Sequence, residues 1–181
     1  MIENYKKELW LQFGAAIDMF ENAVQKCPPE LWHYSYKSGN EIKNPKDINE
    51  LRSCYWYLAY HTLFFLDFYL DLDPENFKMP EPFKQSDNDF DEVLPEREYT
   101  KEELITYVHH CRNKLKNLLK DMDEAKAELR WKTSWRDFSI TEMCMYNMRH
   151  VMHHTGQLNM MLGKIDHDLP IWVSQTNINL K

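Results

Sequence analysis

The sequence predicts an all-α protein: a four-helix bundle with one long crossover between its second and third helices. Three observations predict it. Apolar residues recur at steps of three and four through four long segments, the period of a helix that buries one face. Strand-like alternation is scarce, and only four glycines occur in 181 residues. Residues 72–100 are rich in proline and acids, and too long for a tight turn between antiparallel helices. At ~3.3 Å per extended residue this stretch spans a helix of ~30–35 Å, so helices two and three are expected to run parallel. The length suits a single domain over 1–181, with a core at about 3–165 and a tail at 166–181.

Each element has its own warrant. Over 3–26, Leu9, Phe13, Ile17, Phe20 and Val24 fall on one face, and Pro28-Pro29 ends the helix. A polar connection over 28–49 carries Leu31, Trp32, Tyr34 and Tyr36, aromatics able to pin it over one end of the bundle. The second helix, about 48–71 and starting near Asp47 or Asn49, is apolar nearly all round, the pattern of a central helix. Phe77, Met79, Phe83 and Phe90 are expected to anchor the crossover. Thr100-Lys-Glu-Glu103 is a capping box that opens the third helix, about 101–124 and extending at most to 128. His109 and His110 are adjacent on it, some 100° apart, so at most one faces inward. Residues 125–139, with Trp131 and Trp135, form a short connection, and Ser139 or Thr141 caps the fourth helix. Pro170-Ile171-Trp172-Val173 is expected to pack on the body, with the last six or so residues loose.

Composition narrows the function. A net charge of −7 and no basic block make nucleic acid and an anionic membrane poor partners. No apolar run approaches the ~20 residues that span a bilayer. Cys27, Cys54, Cys111 and Cys144 form no C-x-x-C pair, and four free thiols without a signal peptide suit a reducing cytoplasm.

The stretch 141–163 says most about function. His150 and His154 are four residues apart and stack on one helical face, where two imidazoles can share a metal ion. The same face carries Met143, Asn147, Gln157 and Met161, a polar stripe with apolar ends. Met145, Met148, Met152, Leu158 and Leu162 flank it and look like core. Val151 stands where a zinc-protease motif needs Glu, so that chemistry is excluded. Exposed or hydrogen-bonded histidines are the alternative to a metal. His61, in the middle of the second helix, is a core histidine bonded to a carbonyl or tyrosine, or a third ligand. Packing of helices two and four at ~8–10 Å between axes would bring the three imidazoles together. Asn147 and Gln157 would line the pocket or orient the ligands, and His153, one step off the face, suits a supporting hydrogen bond.

Four features together carry a family resemblance: Leu31-Trp32 after helix one, Tyr57-Leu58-Ala59-Tyr60-His61, Thr100-x-Glu102-Glu103-Leu104, and Arg149-His150-Val151-Met152-His153-His154-x-Gly156-Gln157-Leu158. With these the chain resembles, over about 3–165, the DinB-like superfamily of YfiT-like metal-dependent four-helix bundles. The resemblance implies His61, His150 and His154 as ligands of a divalent ion. Three imidazoles suit zinc, nickel, iron or copper. Relatives of this type include bacillithiol S-transferases and a mycothiol-dependent maleylpyruvate isomerase. The resemblance therefore implies transfer of a low-molecular-weight thiol to an electrophilic small-molecule substrate, in detoxification or stress. It leaves open a non-catalytic bundle binding metal or a small ligand, a hydrolase using activated water, and a homodimer.

Overall fold

The computed structural model describes residues 2–87, 90, 93–164 and 169–180. Residues 88–89 and 91–92 of the crossover, residue 165 at the expected core limit, residues 166–168 of the tail, and both terminal residues lie outside the described residues.

The chain is mostly helical. Four long helices dominate: α1 (Ile2–Lys26), α3 (Tyr55–Tyr69), α4 (Lys101–Lys120) and α6 (Ile140–Gly163), with short helices α2 (Ile48–Leu51) and α5 (Glu124–Glu128) between them. Side-chain partners fix their directions. Lys6 Nζ donates to Lys120 O at one end of α1, and Arg112 reaches Asp18 and Glu21 near the other, so α1 and α4 are antiparallel. Tyr69 meets Tyr146 while His61 meets His154, so α3 and α6 are antiparallel as well. Ile2 and Tyr5 neighbour Thr141, and Ala16 and Met19 neighbour Met148 and Met152, so α1 and α6 share a direction. It follows that α3 and α4 run the same way, as the long intervening segment predicts; Cys111 Sγ beside Leu63 O and Lys114 bonded to Asp67 and Asp71 agree. The space among these helices is filled by large side chains that are essentially inaccessible, among them Trp10, Phe13, Phe20, Tyr55, Phe64 and Tyr107. No helix among the described residues is long and apolar enough to cross a membrane.

The expected 48–71 helix is broken. Asp47 caps α2, its carboxylate accepting from the amides of Asn49 and Glu50, but α2 stops at Leu51. The preceding connection supplies the reason. Carbonyls of Trp32 and Tyr34 accept from Trp56 N and Tyr55 N, so backbone from the connection caps α3 where a continuous helix would have used its own turn. The Ser35 and Ser53 hydroxyls meet at 2.5 Å and lock the break. The third helix is also shorter than expected. It opens with the capping box of Thr100 and Glu103 but ends at Lys120, and Asp123 caps the separate α5.

The connection 125–139 corrects the all-α expectation. It holds a two-stranded antiparallel hairpin, β1 (Arg130–Lys132) and β2 (Asp137–Ser139), with Trp131 opposite Phe138. Trp131 is buried and its indole donates to Asp71 O, just beyond α3. Tertiary docking of one tryptophan thus stabilises strands too short to stand alone. Ser139 ends β2 and caps α6, its hydroxyl accepting from Glu142 N.

The crossover is anchored mostly as expected. Phe77 and Phe83 are buried and Met79 is half-buried, whereas Phe90 is 43% exposed even as its ring meets Phe64, Phe65 and Phe68. Buried Asp87 accepts from Tyr99 Oη at 2.6 Å, and Tyr60 Oη donates to the Asp87 carbonyl.

The tail reverses its expectation. Ile171 and Trp172 stay 79% and 72% exposed, while the segment expected to be loose is held. Thr176 N donates to Leu11 O, and Trp10 Nε1 donates to Ile178 O at 2.6 Å. Gly14 permits the approach: a Cβ there would lie 2.5 Å from Thr176 Cγ2. Met145, expected in the core, is 47% exposed, because it projects from the solvent side of α6 while Met143 and Cys144 face inward. Both His109 and His110 are exposed, with His109 on Glu21 and His110 3.5 Å from Asp67.

Candidate metal centre

Antiparallel packing of α3 on α6 brings His61, His150 and His154 to one place. Their candidate ligand nitrogens all lie within 4.8 Å of one another. Ring centroids are 5.4 Å apart for His61 and His150, 4.8 Å for His61 and His154, and 4.5 Å for His150 and His154. All three rings are half-buried. A tetrahedral ion at ~2.0–2.1 Å from each nitrogen sets the nitrogens ~3.3–3.4 Å apart, so modest ring rotation would close this cluster on an ion.

Two details fit a cation. His150 Nδ1 is buried and without a hydrogen-bond partner, an arrangement that costs roughly 1–3 kcal/mol unless something else satisfies the nitrogen. Burial first, and then the neighbouring His154 and His61, push His150 down to about 2, so its ring is neutral at neutral pH and one of its nitrogens carries a lone pair. Its neighbour His154 has a fixed tautomer: Nδ1–H donates to Gln157 Oε1 at 2.6 Å, so Nε2 is the nitrogen that carries the lone pair. Gln157, one turn on, therefore orients His154.

Asn147 is completely buried, and its amide Nδ2 donates to Leu66 O at 3.0 Å. Leu66 is in the last turn of α3, where carbonyls lack intrahelical donors, so Asn147 ties α6 to the end of α3 beside His150. His153 is exposed. Its ring lies 4.9 Å from that of His154, and with Tyr146, Arg149, His150 and Met152 it lines a surface hollow.

Phe65, which helical spacing puts on the face of His61, joins the site, and the structure adds Tyr69, Tyr146 and Arg136, which sequence reasoning missed. Phe65 packs 4.9 Å from His61 and 5.5 Å from His150, and Tyr69 lies 6.0 Å from His150. Tyr69 contacts Tyr146, whose hydroxyl accepts from Arg136 Nη2 at 3.3 Å. Burial alone would raise the Tyr146 phenol, but hydrogen bonds from Arg136 and Tyr69, and the charges of Arg136 and Arg149, bring it below its ordinary value. Tyr146 sits four residues before His150, so the polar stripe could have revealed it. Arg136 comes from the turn of the unforeseen hairpin, and no local spacing announces it.

The family model described as the DinB superfamily matches residues 12–158. Among solved structures, the chain is similar to a DinB-like protein from Bacillus subtilis, YjoA. The match covers 90% of this chain and 95% of that one, with a TM-score of 0.61 and 13% identity, a likeness of fold. No curated protein matches the sequence.

Proposed function

The chain belongs to the DinB superfamily, and from that premise we propose that it is a metal-dependent enzyme, with the ion held by His61, His150 and His154 and a low-molecular-weight thiol transferred to an electrophile. The observation that carries the reading is the clustering of three imidazole nitrogens, one from each ring, within 4.8 Å. In this reading the four long helices form the bundle and residues 72–100 its single crossover, with zinc, nickel or iron as the ion. A divalent ion supplies Lewis acidity that brings the ionisation of a thiol or a water toward neutral pH.

The chain's own residues do the rest. Gln157 holds His154 in the tautomer whose lone pair is on Nε2. Asn147 fixes α6 against α3, and so fixes His150 relative to His61. Phe65 and Tyr69 crowd the imidazoles and limit water on that side. The cysteines do not supply the nucleophile. Burial pushes Cys27 and Cys144 up to about 12 and Cys54 up to about 11, and raises Cys111 well above its ordinary value. A sulfur transfer at this site therefore needs an external thiol. Its proton leaves, its sulfur bonds the electrophilic carbon, and the leaving group departs with the bonding pair. Incubating zinc-, nickel- or iron-loaded protein with a thiol panel and an activated electrophile tests this. Conjugate formation that disappears in His154→Ala is expected, and no conjugate above background with any pairing would overturn it.

A further inference from the structure

Five of the six arginines of this acidic protein divide into two groups. Arg97, Arg112 and Arg130 each contact a carboxylate, at 2.6–2.8 Å. Arg136 and Arg149 have no carboxylate partner among the described residues, although the chain carries 29 acids to choose from. Arg136 donates to the Tyr146 hydroxyl at 3.3 Å, and Arg149 lines one hollow with Tyr146 and His150. Arg136 is held rather than loose. Its guanidinium carbon sits 5.1 Å from the Trp135 ring centroid and 5.4 Å from that of Tyr146, while its Nε is buried and unpartnered. A guanidinium fixed by aromatic faces, with unused donors and no internal acid, is prepared for an external oxyanion. Between it and the imidazoles runs an apolar surface: Trp135 meets Phe90, Phe90 meets Phe65, and Phe65 meets His61.

We propose that Arg136, Arg149 and the Tyr146 hydroxyl form an anchor for the carboxylate of a small substrate with an aromatic or apolar body, whose other end lies toward His61, His150 and His154. The second half of this statement rests on the metal-site reading; the anchor itself does not. Net charge −7 repels anions at long range, so the two guanidiniums act as a local exception that selects for a carboxylate at this mouth.

Isothermal titration of phenylacetate against 2-phenylacetamide, on metal-free and zinc-loaded protein, tests the anchor. Phenylacetate is expected to bind at least ~10-fold tighter than the amide, and to weaken as salt is added. Arg136→Gln and Arg149→Gln are each expected to erase most of that preference, leaving amide affinity and zinc content unchanged, while Arg149→Lys keeps part of it. Exposed Arg149 keeps the test valid should Arg136→Gln fail to fold. Equal binding of acid and amide, no binding of either, or a preference untouched by Arg149→Gln would overturn the proposal. Failure of zinc to bind would instead overturn the metal reading, and the acid–amide ratio on metal-free protein would still decide the anchor.

Discussion

Gln157→Leu isolates the support of the candidate metal centre from its ligands. The substitution keeps side-chain bulk and helix propensity, and Gln157 is half-buried, so the fold should tolerate it. What it removes is the acceptor 2.6 Å from His154 Nδ1. Without that bond the ring can adopt either tautomer and rotate, and its donor lone pair is no longer aimed. Loss of such a supporting partner typically costs 10–100-fold in metal affinity, or about 1.4–2.7 kcal/mol. Competition against a zinc-binding dye at pH 7.5 measures this directly. Gln157→Glu, which keeps an acceptor in place, should bind at least as tightly as the parent. An affinity for Gln157→Leu within about twofold of the parent would show that this hydrogen bond does not prepare His154 for an ion.

Other predictions follow from the same coordinates. Because His150 titrates at about 2 when folded, below its ordinary value of 6.5, the unfolded chain takes up that proton first as pH falls. Metal-free protein should therefore hold its full stability above pH ~6.5 and lose about 1–2 kcal/mol between pH 7 and 5 in urea unfolding, with a shallower slope for His150→Gln. Gly14→Ala drives a methyl into Thr176 and should cost roughly 1–3 kcal/mol in thermal unfolding, with the loss recovered by adding Thr176→Gly. Asp67→Asn removes a fully buried carboxylate that serves Lys114, Tyr107 and His110; a loss of roughly 3 kcal/mol is expected, and a change under about 0.5 kcal/mol would show the cluster to be unimportant.

What the sequence made legible was local. The step of four between His150 and His154, the capping box at Thr100, the cap at Asp47 and the apolar face of α1 are patterns within one helix, and each has its place in the structure. The nearness of His61 was legible only by assuming that its helix lies against α6. What stayed hidden depends on contacts distant in sequence. The break after Leu51 exists because carbonyls of Trp32 and Tyr34 cap α3. The hairpin exists because Trp131 docks on the end of α3. The tail is held by the hydrogen bond from Trp10 and by the close approach that Gly14 permits, contacts that no local pattern announces. Arg136 was invisible for the same reason: only the hairpin places it at Tyr146.

The most direct measurement is elemental analysis of tag-free protein beside its His61→Ala and His154→Ala variants. The account predicts about one divalent ion per chain in the parent and a large loss in both variants, since each removes one of three nitrogens. Equal metal content in all three proteins, or none in the parent after incubation with zinc, nickel and iron, would contradict it.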